Sequence, residues 1–62
     1  MDIKNAEKAE KSINEAVAAL MELNASDNPA VSFIAMEIIP ELVKFERKVE
    51  RFKEVIKQLE ND

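Results

Sequence analysis

The chain has 62 residues, of which 9 are basic and 13 acidic, and it contains neither cysteine nor histidine. This composition excludes disulfides and argues against a structural zinc site. A hydrophobic share of 47%, a charged share of 35% and no glycine predict an all-α fold of long helices. A lone chain of this size buries only about 60% of its unfolded surface, so we expect it to be stabilised by oligomerisation.

The sequence favours a cytoplasmic, soluble protein. No apolar run approaches the ~20 residues of a membrane span, and the first residues lack the basic, then apolar, then small pattern of a signal peptide. The net charge of −4 argues against indiscriminate binding to nucleic acid or to anionic membrane. We therefore expect no membrane partner, no cofactor and no small-molecule substrate.

The first predicted element is an amphipathic helix at about residues 3–24. Its apolar residues recur at alternating spacings of three and four, which is typical of one helical face. The stripe consists of Ala6, Ala9, Ile13, Ala16, Leu20 and Leu23, widened by Ile3 and Val17. Its alanines leave room for a second helix to come close.

Residues 25–28 are predicted to form a turn. Asn28 is the predicted N-cap of the next helix, because asparagine caps well and Pro29 suits the first helical position. A connection this short makes the two helices antiparallel neighbours. The sequence therefore predicts one helical-hairpin domain over residues 1–62.

The second predicted helix, at about residues 29–60, is longer and carries a heptad seam. The seam consists of Val31, Ala35, Ile38, Leu42, Phe45, Val49, Phe52, Ile56 and Leu59. Pro40 lies inside it, and the unbroken register from Ile38 to Leu42 predicts a kink there and not a break. Folding about the turn pairs Leu20 with Ala35, Ala16 with Ile38, Ile13 with Leu42, Ala9 with Phe45 and Ala6 with Val49.

Two surfaces of this hairpin stay uncovered. One is the overhang of helix 2 beyond helix 1, and the other is the outer face of residues 31–39, which are apolar on all sides and should be buried on all sides. Two second helices packed antiparallel about a twofold axis near Phe45 would cover both. The sequence thus predicts a homodimeric four-helix bundle, whose interface residues are Ile38, Phe45, Phe52, Val55, Ile56 and Leu59.

Side chains that commonly carry catalysis are scarce. Without histidine, cysteine, tyrosine or glycine, acid–base, thiol and phosphate-loop chemistry lack their usual groups. Glu46, Glu50 and Glu54 are spaced to share one helical face, but metal sites in bundles normally add a Glu-x-x-His unit that is absent. We predict no enzymatic activity, no catalytic residues and no metal site, and we interpret these glutamates as a solvated face.

A candidate protein-binding surface lies at the loop end of the hairpin. It consists of Met21, Phe33, Met36 and Val43, at outward positions in a segment with few charges. Methionine and phenylalanine on such a patch suit an adaptable contact with another protein. The alternative reading is that the same residues complete the homo-oligomer.

Basic residues form two stripes toward the chain termini and provide an alternative function. They are Lys4, Lys8 and Lys11 on helix 1, and Lys44, Arg47, Lys48 and Arg51 on helix 2. Such stripes suit a nucleic acid or another polyanion. Helix 1 has no aromatic residue beside its lysines for stacking on bases, so we favour a solvated face with pairs such as Glu54 with Lys57.

Length, acidity and the tight helical hairpin resemble the plasmid copy-number regulator Rop. That resemblance implies a four-helix bundle of two hairpins and RNA binding by an acidic protein. The residues Ser26-Asp27-Asn28-Pro29-Ala30 are also similar to the turn of helical-hairpin secretion needle subunits. The prediction that we carry forward is a non-enzymatic protein-interaction module, with a Rop-like RNA or DNA regulator as the alternative.

Overall fold

A computed structural model describes residues 2–61 as two α-helices, α1 at Asp2–Asn24 and α2 at Pro29–Glu60. This part of the chain contains no β-strand, and the helices pack side by side as a hairpin, so the predicted all-α hairpin is confirmed. The first and last residues of the predicted domain, 1–62, lie outside the described range. Through Pro40, α2 continues as one helix.

Side-chain hydrogen bonds hold the turn at both helix ends. The Asn28 side chain accepts a hydrogen bond from the Ala30 amide at 3.0 Å, and the Asn28 backbone is extended, so the predicted N-cap is confirmed. Across the turn, the Ser32 hydroxyl donates to the Asn24 carbonyl oxygen at 2.6 Å. Carbonyls in the last turn of a helix have no partner within it. This bond therefore satisfies the end of α1 and ties it to the first turn of α2.

The two helices meet along a heptad seam. Nearly all described residues that are buried or half-buried lie on it, at alternating spacings of three and four. The seam residues are Ile3, Ala6, Glu10, Ile13, Val17 and Leu20 on α1, and Ser32, Ala35, Ile39, Leu42, Glu46, Val49, Lys53 and Ile56 on α2. The most buried are Ala6, Val17, Ala35 and Ile56, and no described side chain is buried completely. A single layer of two helices has no other core.

The seam on α2 is rotated from the predicted one. Of the predicted seam residues, four lie on the observed seam: Ala35, Leu42, Val49 and Ile56. Val31 is half-buried beside it, and the other four are exposed: Ile38, Phe45, Phe52 and Leu59. In place of Ile38, Phe45 and Phe52, the observed seam contains Ile39, Glu46 and Lys53. A charged pair lies on this rotated seam, where Lys53 Nζ is 2.9 Å from Glu10 Oε1.

The rotation extends to α1 and changes the predicted pairing. Ala9, Ala16 and Leu23, expected on the buried stripe, are exposed. Phe45 is 56% exposed, so its predicted packing against Ala9 within the chain is wrong. The same correction applies to the predicted pair of Ala16 with Ile38.

Ile56 also differs from its predicted surroundings. The sequence placed Ile56 on an uncovered overhang at the oligomer interface, yet its side chain is only 8% exposed. It lines one groove with Asp2 and Ala6, near the start of α1. Ile56 therefore belongs to the core of the hairpin itself, because α1 reaches further along α2 than the predicted pairing allowed.

The hairpin is a flat, elongated slab. Its Cα atoms extend 51 × 15 × 10 Å with a radius of gyration of 14.7 Å, whereas a compact chain of this length would have about 11 Å. Its accessible surface is 5029 Å². A folded monomer of this mass typically exposes roughly 4,000 Å². The excess, on the order of 1,000 Å², is comparable to one side of a standard protein interface.

Candidate interaction surfaces

One flank of the seam carries a row of large apolar side chains, which we name the long apolar face. On α2, positions 38, 45, 52 and 59 recur every seven residues and so lie in line along the helix. The members of the face are Leu23, Ile34, Ile38, Phe45, Phe52, Val55 and Leu59, each 42% to 70% exposed. From residue 34 to residue 59 the row spans about 38 Å at 1.5 Å per residue. It therefore occupies most of the length of α2.

On the same flank, α1 contributes mainly small side chains. Leu23 lines a groove with Ile38 near the loop, and Ala9 lines another with Phe52 near the termini. Ala16 lies midway between them at heptad spacing and is exposed. The long apolar face thus has large side chains along α2, and beside them on α1 lie the small side chains of Ala9 and Ala16, with Leu23 near the loop.

Two opposite charges flank the middle of the long apolar face. Positions 34, 41, 48 and 55 form a second row along α2, in which Ile34 and Val55 enclose Glu41 and Lys48. The Lys48 ammonium lies 5.6 Å from the centre of the Phe45 ring, within the range of a cation–π contact. The centre of the face therefore carries an acidic group on one side of Phe45 and a basic group on the other.

The predicted protein-binding residues lie on the opposite flank of the hairpin, which we name the loop-end surface. Met21, Phe33 and Met36 are 56% to 64% exposed, while Val43 is half-buried. Given the observed seam, helical periodicity puts all four on the flank away from Leu23 and Phe45. The loop-end surface and the long apolar face are thus two separate surfaces.

The residues of the two predicted basic stripes are all exposed. Arg47 and Arg51 line a groove at the terminal half of the hairpin, but Glu10, Glu50 and Glu54 line the same groove. The predicted pair of Glu54 with Lys57 is present at 3.9 Å. Acidic side chains therefore interrupt the positive surface on α2.

The pair formed by Lys53 and Glu10 is the clearest polar feature of the seam. The two side chains are only 19% and 21% exposed, and their charged atoms lie 2.9 Å apart. The hydrogen bond to Glu10 raises the pKa of Lys53, partial burial opposes this, and the negative charges of Glu10, Glu54 and Glu7 add to the increase. The folded chain therefore favours the charged form of Lys53.

Within residues 2–61, no cluster of three or more histidine, cysteine, aspartate or glutamate side chains is arranged to hold a metal ion. Of the three glutamates interpreted as a solvated face, Glu50 and Glu54 are exposed, whereas Glu46 is half-buried in the seam. Neither α1 nor α2 is long and apolar enough to cross a membrane.

Comparison with protein-family models, with curated proteins and with solved structures finds no match for this chain. The surfaces themselves are thus the basis for a functional proposal.

Sequence reasoning missed Leu23 and Ile34 as surface residues of the long apolar face. Their spacing in the sequence indicated this. Leu23 follows Ala9 and Ala16 at intervals of seven residues, and Ile34 precedes Phe45 by eleven, intervals that place residues on the same side of a helix.

Proposed function

We propose that the chain is a non-enzymatic protein-interaction module that forms a homodimer and presents its loop-end surface to another protein. The observation that carries the proposal is that ten large apolar side chains of residues 2–61 are exposed, distributed over two separate faces of a hairpin that buries very little. Large contiguous apolar surfaces on a soluble chain mark interaction sites. The lack of histidine, cysteine and tyrosine supports a role without catalysis, and we retain the cytoplasm as the proposed location.

The proposed dimer pairs two long apolar faces, so that four helices form a bundle with α2 packed antiparallel to its copy. The face is self-complementary about Phe45, because Ile38 and Phe52 lie seven residues to either side of it. The twofold axis brings Glu41 of each chain toward Lys48 of the other, which matches their charges. A bend of α2 at Pro40 belongs to this proposal, since proline removes one backbone hydrogen bond within the helix.

Size complementarity supports the same pairing. The long apolar face has phenylalanines on α2 and the exposed alanines Ala9 and Ala16 on α1. Large side chains opposite small ones interdigitate well in helical cores. The pairing of large with small that the sequence suggested within one chain is, in this proposal, made between two chains.

A bundle of this kind leaves both loop-end surfaces on its outer sides. Met21, Phe33 and Met36 then remain available to a different protein. Each such side chain contributes about 1.5 to 3 kcal/mol when it is fully buried, so a few of them suffice for a useful interface. We therefore assign self-association to one face and partner binding to the other.

Joint substitution of Phe33→Ser and Met36→Ser tests this assignment. We expect unchanged helicity by circular dichroism and an unchanged dimer in sedimentation, with loss of the partner that the parent chain retains in a pull-down from its host. Arg47→Ser with Arg51→Ser, in the groove at the terminal half, is the matched control and should keep both the dimer and the partner. Dissociation of the dimer by the Phe33 and Met36 changes would instead assign the loop-end surface to self-association.

A Rop-like nucleic-acid regulator is the alternative function, supported by the exposure of the basic stripes. The acidic side chains in the groove of Arg47 and Arg51 make it the weaker candidate. A gel-shift series across salt concentrations separates the two functions. Phosphate contacts weaken steeply as salt increases, whereas apolar contacts do not.

A further inference from the structure

The loop half of the hairpin carries charge of only one sign. No lysine or arginine occurs between residues 12 and 43. The acidic residues in this segment are Glu15, Glu22, Asp27, Glu37 and Glu41, and all five are exposed. All nine basic residues of the chain lie outside the segment, together with the eight other acidic residues. The net charge of −4 is therefore concentrated at the loop half, while the terminal half is close to neutral.

The loop-end surface lies within this acidic half. Met21, Phe33 and Met36 form its exposed apolar part, and Glu22 and Glu37 lie one residue further along α1 and α2. An apolar patch on a helical surface accepts the apolar face of another amphipathic helix, with anchors spaced by three and four residues. Charges around such a patch select a partner with complementary charges and repel one with like charges.

We propose that the loop-end surface binds an amphipathic helix of another protein whose apolar anchors are flanked by lysine or arginine. This inference rests on the proposed function and specifies the chemistry of its partner. Methionine at two of the three exposed anchor positions suits it, because its unbranched side chain adapts to different partner side chains. The acidic half repels nucleic acid and acidic helices, so it excludes these from the same surface.

Two synthetic helical peptides of about 18 residues are the probes, long enough to present five turns. They share one leucine face and differ only in their polar face, which carries lysines in one peptide and glutamates in the other. Fluorescence anisotropy with the full-length chain should show binding of the lysine peptide at least about tenfold tighter than of the glutamate peptide. This preference should shrink when sodium chloride is raised from about 50 mM to about 500 mM, because salt screens exposed charges.

Two charge-reversal variants locate the effect. Glu22→Lys with Glu37→Lys should remove most of the preference between the peptides, because the loop half changes from five negative charges to three negative and two positive ones. Glu50→Lys with Glu54→Lys changes the net charge by the same amount in the terminal half and should leave the preference unchanged. Equal binding of both peptides, or equal effects of the two reversals, would overturn the proposed partner chemistry.

Phe33→Ser with Met36→Ser separates this inference from the proposed function beneath it. Loss of the lysine peptide alone, with the dimer intact, supports both. If the parent binds both peptides equally and the substitutions weaken both, the loop-end surface remains a binding site and its preference for basic helices is refuted. Undiminished binding of both peptides would refute the loop-end surface itself, and with it the partner-binding part of the proposed function.

Discussion

At the scale of single residues, Ser32 links the end of α1 to the first turn of α2. Its hydroxyl donates to the Asn24 carbonyl at 2.6 Å, while the Asn28 side chain caps the same first turn of α2. Serine side chains readily bond to backbone groups, which makes them useful at helix ends. Side chains therefore satisfy backbone groups at both ends of the turn, beside the backbone bonds that the amides of Ala25 and Ser26 donate to Glu22 and Leu23.

Replacing Ser32 by alanine should lower the free energy of unfolding. The variant loses the hydrogen bond to the Asn24 carbonyl oxygen, worth about 1 kcal/mol, and the longer contact of 3.3 Å to the Asn24 side-chain oxygen. Ser12→Ala is the matched control, since Ser12 is an exposed serine within α1 and gains the same helix propensity from alanine. Urea denaturation at fixed chain concentration measures both variants. Equal stability of the two would show that the bond contributes nothing.

At the scale of the elements, the sequence specified the helices better than it specified their contact. The N-cap at Asn28 and the hairpin follow from local chemistry, namely the capping side chain and the short turn, and both are confirmed. The seam was only half predictable, because α2 is apolar on more than one side and apolarity alone does not select the side that faces α1. The most apolar row, centred on Phe45, is outside the seam.

The pattern of apolar residues alone could not identify the seam, because the seam also contains polar residues. Glu10 and Lys53 each occupy a seam position and meet at 2.9 Å. In some coiled coils, a polar residue at a seam position sets the register and orientation of the helices. The same ambiguity affected the candidate site: the loop-end residues were predictable as outward positions, whereas the alanines of the long apolar face were assigned to the core.

The pair of Lys53 with Glu10 predicts a specific dependence of stability on pH. Its hydrogen bond raises the pKa of Lys53 above the usual 10.5, so the folded state binds the proton more tightly than the unfolded state. This stabilisation is fully present below pH 10.5 and is lost as the pH rises through the folded-state pKa. The free energy of unfolding of the parent should therefore fall more steeply above pH 10.5 than that of Lys53→Met.

Lys57→Met is the control for this measurement. Lys57 is an exposed lysine on the same helix, paired with Glu54 at the longer distance of 3.9 Å, and such exposed pairs contribute little. Its removal should leave the alkaline fall of the parent in place. If Lys53→Met and Lys57→Met follow the parent curve equally well, the seam pair does not contribute to stability.

At the scale of the whole molecule, the proposed dimer follows from the amount of surface that the hairpin leaves exposed. The chain exposes 5029 Å², and its long apolar face extends along most of α2. A two-helix layer buries one stripe of each helix, and a second layer is needed to cover the remaining apolar face. The self-complementary arrangement about Phe45 allows an identical chain to provide that layer.

Cysteine cross-linking tests the antiparallel arrangement, and the chain has no native cysteine to interfere. A Glu41→Cys chain mixed with a Lys48→Cys chain should form a mixed disulfide on mild oxidation. Each variant alone should not, because the twofold axis separates the two copies of residue 41 by about 12 Å along the helix, beyond the roughly 7 Å that a disulfide spans. Cross-linking of Glu41→Cys with itself, without the mixed product, would indicate a parallel dimer.

Sedimentation equilibrium of the parent, Phe45→Ala and Phe33→Ala tests whether the long apolar face forms the dimer. Both substitutions remove the same atoms from an exposed phenylalanine, one on the long apolar face and one on the loop-end surface. We expect a dimer for the parent and for Phe33→Ala at micromolar concentration. The dissociation constant of the Phe45→Ala dimer should be at least about 100-fold higher, since Phe45 is buried in the proposed dimer and loss of a buried phenylalanine costs about 3 to 5 kcal/mol. A folded, cooperative parent monomer, or dissociation of Phe33→Ala and not of Phe45→Ala, would contradict the account.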